Sequence, residues 1–411
     1  VPNPLASNNR SGFFGSTGKN APMCSTRPEF DEGDDVHRES YNQSVGFQGI
    51  PLQHREKRGR YAGAEILTRF VRYLFFVVSL CTCSITFSSE PTMTNPLLSE
   101  PRPWCIGRFV FDRPAASKIT NQRYAYRGEK LETQHNVSSA TYQAKVDELE
   151  EKLKTKKRVD PGNGSKPIDH VWLEREFSPA NNSKVFVYVD AYTEGVKLPF
   201  DSEGYIYENN TLFHTTGSFG SGGLDKFEPV YTDLYRRIKA RDNWSVPTES
   251  GFCFDGGIVA GSSRYPEEVS QSFALMPGRP ALLVIQMRDS VDVDQKEPLS
   301  KTLRSLRSQM NRISSGSYRI LRQGKRTVAG MDAEEVLFAL KEGEITSYRF
   351  YLLAPGDPST LAKPHTAIQL ILGASSADLR PEEATSPVDE AGALQTWDTL
   401  LNSLRLRPGA V

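Results

Sequence analysis

Only four stretches of this 411-residue chain carry a helical period, and that constrains the fold more than any motif. Tyr142, Val146, Leu149 and Leu153 recur at spacings of 4, 3 and 4, which places them on one helix face. A second helix is predicted from about Asp225 to Ala240, with Phe227, Tyr231, Leu234 and Ile238 inward. Leu299, Leu303, Leu306, Met310 and Ile313 mark a third, and Leu394, Trp397, Leu401 and Leu404 a fourth. Between them lie β-branched and aromatic runs bounded by turn residues, which read as strands. They are Trp104–Phe111, Arg123–Tyr126, Leu131–Val137, Lys184–Tyr192, Tyr205–Tyr207, Leu212–His214, Phe252–Ala260, Ala281–Met287, Tyr318–Arg322, Ala333–Leu340, Ile345–Ala354 and Thr366–Gly373. Asn209-Asn210 predicts a hairpin turn with positive φ.

The order of elements repeats. From first helix to second is about 83 residues in one half (142 to 225) and about 91 in the other (299 to 390). Each half opens with a cysteine-bearing strand, at Cys105 and at Cys253. The expectation is an α+β fold of two related modules, each an antiparallel sheet with helices packed on one face. The modules are expected at residues 100–248 and 249–411, joined near Trp244–Glu249.

Residues 1–66 are rich in Asn, Ser, Gly and charge and carry no sustained apolar period. They read as a disordered extension, or as sequence upstream of the true start. Residues 67–90 read as a signal peptide or an N-terminal anchor. A basic flank (Arg55, Lys57, Arg58, Arg60, Arg69, Arg72) precedes an apolar run, Tyr73–Phe87, shorter than the ~20 residues a spanning helix needs. Removal of that segment leaves Cys105 and Cys253, an even pair suited to an oxidising compartment and a candidate disulfide.

Lys+Arg and Asp+Glu both number 50, so no excess of cations points to nucleic acid. No Gly-x-Ser-x-Gly elbow and no His-Glu-x-x-His helix occurs, and His135, His170, His214 and His365 each read as strand or loop residues. We therefore expect no catalytic residue, no cofactor and no metal. The glycine-rich Gly217-Ser218-Phe219-Gly220 segment lacks the Gly-Lys-Ser/Thr ending of a phosphate loop. Asp289, Asp292 and Asp294 lack the glycine and glutamate of a calcium loop. Both segments are expected to be surface loops, candidates for contact with a partner.

Four motifs, in order, then carry a resemblance. Trp104-Cys-Ile-Gly-Arg-Phe-Val-Phe-Asp-Arg-Pro114 with Arg123-Tyr-Ala-Tyr126, Gly251-Phe-Cys-Phe-Asp-Gly-Gly-Ile258, Gly330-Met-Asp-Ala-Glu-Glu335 and Trp397-Asp-Thr-Leu-Leu-Asn-Ser-Leu-Arg-Leu-Arg-Pro408 resemble the type VI secretion lipase-immunity family. These are the periplasmic antitoxins of the fourth class of type VI lipase effectors. The likeness covers about residues 100 to 411, with Arg113 at a position where an apolar residue is expected. It implies a two-domain, non-enzymatic protein that clamps a cognate secreted lipase, touching membrane only through its signal or anchor segment. Two readings compete with it: an exported assembly or lipoprotein-like structural factor, and an uncharacterised hydrolase.

Overall fold

The computed structural model describes residues 95–411 except 263–264, 314–316 and 375–378. The readings made for residues 1–90 lie outside the described residues.

The first half runs β1 (Pro101–Ile106), β2 (Phe109–Pro114), β3 (Lys118–Tyr126), β4 (Glu129–His135), α1 (Ser139–Thr155), β5 (Lys157–Asp160), β6 (Lys166–Val171), β7 (Leu173–Phe177), β8 (Ser183–Tyr188), β9 (Phe200–Glu208), β10 (Thr211–Phe219), α2 (Phe227–Arg237) and β11 (Ile238–Ala240). The second runs β12 (Gly251–Phe254), β13 (Gly257–Ala260), β14 (Glu267–Ala274), β15 (Ala281–Arg288), α3 (Leu299–Ile313), β16 (Tyr318–Val328), β17 (Met331–Glu342), β18 (Ile345–Ala354), β19 (His365–Leu372), the single turn α4 (Pro381–Ala384), α5 (Glu390–Ser403) and β20 (Arg405–Leu406).

Twelve of these strands form one antiparallel sheet, in the order β16-β17-β18-β19-β15-β14-β3-β4-β10-β9-β8-β7. Read outward from the β14–β3 junction, the two sides have the same topology: β3-β4-β10-β9-β8-β7 against β14-β15-β19-β18-β17-β16. The junction is a full strand pair, from Glu267↔Tyr126 to Ala274↔Lys118 with one bulge. The halves therefore share a hydrogen-bonded ladder.

Helices cover both faces of this sheet, whereas the sequence predicted one. The alternation within single strands shows why. Phe186, Tyr205 and Leu212 point to α1 and pack on Val146, Leu149 and Leu153. Their neighbours Val185, Val187, Ile206 and Phe213 point the other way, into a core that holds Phe227, Tyr231 and Leu234 of α2. The second half repeats this: Val336, Phe338 and Tyr351 pack on Leu306 and Met310 of α3, and Leu337, Phe350 and Leu352 on the face of Trp397 and Leu400 of α5. A strand with apolar residues at consecutive positions is buried on both faces, and β8 and β17 are such strands.

The α2/α5 face carries one continuous core that crosses from one half to the other. Two small sheets, β1-β2-β20 and β11-β13-β12, complete it. Their closing strands are exchanged between halves. After α2, β11 pairs with β13 of the second half (Ile238↔Val259), and after α5, β20 pairs with β2 of the first (Phe109↔Leu406). The sequence placed Ile238 and Leu404 on helix faces; both instead leave the helix in extended conformation (ψ 125° at each) and lead into these strands.

Trp104–Phe111 and Phe252–Ala260 are tight hairpins, not single strands. Gly107 turns the first at φ +56°, and an added Cβ there would sit 3.3 Å from Val269 Cγ1. Asn209 and Asn210 take φ of 50° and 59° in the β9–β10 hairpin.

Candidate partner interface

Among the described residues, helices cover the face opposite the shared core at its two ends, α1 over β8 and β9 and α3 over β17 and β18. Cross-strand register runs from one helix to the other across the middle: Tyr351↔Gln369, Gln369↔Val284, Val284↔Ser272, Ser270↔Arg123, Glu132↔His214 and His214↔Tyr205. The six strands β19, β15, β14, β3, β4 and β10 thus turn one open face between two helical shoulders. Gln369 is buried there, but most of the face is half-buried or exposed: Glu268, Ser270, Ser272 and Ala274 on β14, Leu282, Val284, Gln286 and Arg288 on β15, and Arg123, Lys130 and Glu132 on β3 and β4. An antiparallel sheet with one solvated face alternates in this way.

Charge on the open face is balanced and locally paired. Arg123 Nε lies 3.8 Å from Glu268 Oε1, and Lys130 pairs with Glu132. His214 sits between Glu132 (3.2 Å) and Glu203 (2.9 Å) and stacks on Tyr205. Hydrogen bonds from Lys130, and then from His214, hold the Glu132 carboxyl below the usual carboxylate range; His214 does the same for Glu203. Such a surface offers polar groups for complementary contact across several strands.

Beneath it the halves are fastened by polar groups that lie far apart along the chain. Arg108, at the β1–β2 turn, forms a fork on Glu267 of β14 (2.8 and 2.7 Å) and reaches the Ala410 carbonyl. Asp255 of the β12–β13 turn accepts from Gln122 (2.8 Å) and Asn243 (2.6 Å), with His135 Nε2 3.2 Å away. The contact between His135 of β4 and Asp255, whose side chains are 44% and 10% exposed, links the two halves. Glu129 is buried with Tyr231 and Ser202; burial raises its pKa against the hydrogen bonds that lower it.

Arg113 lies buried among aromatic rings, its guanidinium 4.0 Å from the Trp104 centroid, 4.5 Å from Trp244 and 5.1 Å from Phe273. Burial pulls its pKa down to about 10. Cation–π contact is what lets a charge occupy a position of apolar character. Cys105 and Cys253, both buried, are joined Sγ to Sγ at 2.06 Å with Cα atoms 6.0 Å apart. Beside them Gly107 and Cys253 exchange two backbone hydrogen bonds, at 3.1 and 2.7 Å.

The two candidate contact loops divide. Gly217, Ser218 and Phe219 belong to β10, paired with Ser202, Asp201 and Phe200, so only Gly220 of the four lies beyond the strand. Phe219 stacks on Phe227, and Gly217 leaves room for the Glu129 carboxylate. The acidic segment is a loop, but Asp294 is turned inward. It takes a fork from Arg288 (2.8 and 2.6 Å) and the Val291 N–H (2.9 Å), with His365 Nδ1 at 3.5 Å. Asp289 is half-buried and Asp292 exposed. With Asp294 anchoring the turn, Val291 and Val293 face outward, at 47% and 59% exposure. His170 is exposed on β6.

Among the described residues no group of three or more His, Cys, Asp or Glu side chains could hold a metal ion, and no helix is long and apolar enough to cross a membrane.

Comparison with known proteins gives matches over most of these elements. The family model for the Tle cognate immunity protein 4 N-terminal domain matches residues 102–227, and that for its C-terminal domain residues 245–409. Among solved structures, the apo immunity protein TplEi of the type VI secretion system from Pseudomonas aeruginosa is 21% identical, with a TM-score of 0.63 over 75% of this chain and 97% of that one. A Tle4–Tli4 complex matches at 21% identity and TM-score 0.63, over 75% of this chain and 98% of the other. TplEi complexed with an "L" peptide matches at 21% and 0.60, over 76% and 99%. At that identity the likeness is one of fold. No curated protein matches the chain.

Proposed function

Because this chain belongs to the Tle cognate immunity protein 4 family, we propose that it binds a cognate type VI lipase effector and blocks it in the periplasm. The observation that carries this reading is the match of both family domains, in order, to the two halves of one continuous sheet. A solved relative in a Tle4–Tli4 complex supports a protein partner. Export is supported by the basic-flanked apolar run Tyr73–Phe87 and by a disulfide between Cys105 and Cys253, a bond that persists in oxidising compartments.

Blocking needs no chemistry from the inhibitor. A bound body need only cover the lipase's active-site mouth or hold its lid. The open sheet face and its α1 shoulder are the contact surfaces we favour, burying on the order of 1,600 Å² in total. The two halves, at residues 100–248 and 249–411, present them together.

Titration of the cognate lipase with this protein tests the reading. Phospholipid hydrolysis is expected to fall to background at equimolar protein, and this chain alone releases no fatty acid. Alanine at His170, which is exposed on β6 and lies outside the open sheet face, leaves inhibition in place. A lipase that stays fully active at excess inhibitor overturns the proposal.

A further inference from the structure

The helices α1 and α3 hold equivalent places in the two halves, yet their outward faces differ in charge. α1 carries Asp147, Glu148, Glu150 and Glu151 alongside Lys145, Lys152 and Lys154. α3, Leu-Ser-Lys-Thr-Leu-Arg-Ser-Leu-Arg-Ser-Gln-Met-Asn-Arg-Ile, carries Lys301, Arg304, Arg307 and Arg312 and no carboxylate. At 100° per residue the four cations fall within an arc of roughly 140°, away from the stripe of Leu299, Leu303, Leu306 and Met310 that packs on the sheet. All four cations are exposed. In a chain with as many carboxylates as cations, a helix of cations alone is a local concentration, not a reflection of composition.

The loop that leads into α3 adds a second, independent feature. Val291 and Val293 are aliphatic side chains turned to solvent, held there by the inward Asp294–Arg288 fork. Lys296 follows, exposed, and two exposed acids, Asp292 and Glu297, oppose it; Glu297 lies 3.9 Å from Lys301. Residues 291–312 thus present five exposed cations, two exposed carboxylates and two exposed valines.

We propose that this segment docks the protein on an anionic phospholipid surface, with α3 lying over the headgroups and the Val291–Val293 tip entering the interface. Charge complementarity selects the occupant. Lipid phosphates accept the Arg and Lys side chains in any order along the helix, and acyl chains accept aliphatic tips that water does not. Nucleic acid would also accept the cations, but no aromatic side chain for a base to stack on occurs in residues 291–312. Docking would hold the protein on the surface where a phospholipase meets its substrate. It does not depend on which lipase is bound.

Flotation of the full chain with vesicles tests this, comparing phosphatidylcholine alone with phosphatidylcholine plus phosphatidylglycerol. The ratio of the two partition coefficients cancels the contribution of Tyr73–Phe87, which is apolar in both. Binding to the anionic vesicles is expected to be stronger and to weaken with salt. The double change Arg304→Gln/Arg307→Gln is expected to lower it by about 30-fold, at roughly 1 kcal/mol for each cation near the surface. Arg304→Lys/Arg307→Lys is expected to retain binding, and Val293→Ser to weaken it several-fold. Equal partition of the unaltered protein into both vesicle types overturns the proposal. So does a double variant that binds vesicles normally but loses affinity for the lipase, which would assign the basic face to an acidic protein surface.

Discussion

Replacing Cys105 and Cys253 together by alanine is expected to lower stability by about 5 kcal/mol, the chain-entropy cost of opening a loop of this size. The bond closes 148 residues, nearly the whole first half, and its ends lie in β1 and β12, one from each half. Against a typical total of 5–15 kcal/mol that is a large fraction. For a fold of this size the melting temperature should drop on the order of 10 °C. Thermal melts of the protein with and without reductant, beside the double variant, read the effect directly. Reductant should bring the unaltered protein to the variant's midpoint and leave the variant unmoved. Two free thiols in protein recovered from an oxidising compartment would contradict the expectation.

Arg108→Met is expected to cost about 3–5 kcal/mol, the penalty for removing one partner of a buried ion pair. Arg108 is 2% exposed and grips three segments at once: its own turn, Glu267 on β14 and the Ala410 carbonyl at the end of the chain. The pair spans the two halves, so the loss should appear as global destabilisation in urea and not as local fraying. Arg108→Met/Glu267→Met should recover most of it, because two apolar chains of similar volume replace an ion pair that was costly to bury. A single change that costs less than about 1 kcal/mol would place the pair among ordinary surface contacts.

How much of this was legible in the sequence depends on which partner each residue has. The four helices were, because their apolar period is set by the sheet directly beneath them. So was the β9–β10 hairpin, whose asparagines adopt the positive φ their side chains tolerate. β14 was missed: its inward residues are Glu267, Val269, Gln271 and Phe273, and two of the four are polar. Glu267 is inside because Arg108 is there, and Gln271 because Trp104 Nε1 and Tyr124 bond to it, at 3.1 and 2.6 Å. No local pattern reports such distant partners. Missing β14 hid the junction, and with it the fact that the two sheets are one.

The exchanged strands failed for a related reason. Ile238 and Leu404 continue the apolar spacing of α2 and α5, and only the hairpin of the opposite half draws them into strands. Arg113 stood out as an intruder in an apolar position, and the aromatic box formed by residues 104, 244 and 273 explains it. For the contact loops, composition identified flexible-looking residues but not their direction. The Gly217–Phe219 stretch is strand because Phe219 has Phe200 and Phe227 to pack on. Asp294 points inward because Arg288 precedes it on β15.

A shared core, a shared ladder and exchanged closing strands mean that neither half keeps its own buried surface when cut from the other. Blocking of the lipase should accordingly belong to the joined body and to neither half. The direct measurement is lipase inhibition by the intact protein, by residues 95–244 and by residues 245–411, each at equal concentration. We expect inhibition from the intact protein alone; full inhibition by residues 245–411 on their own would contradict the account.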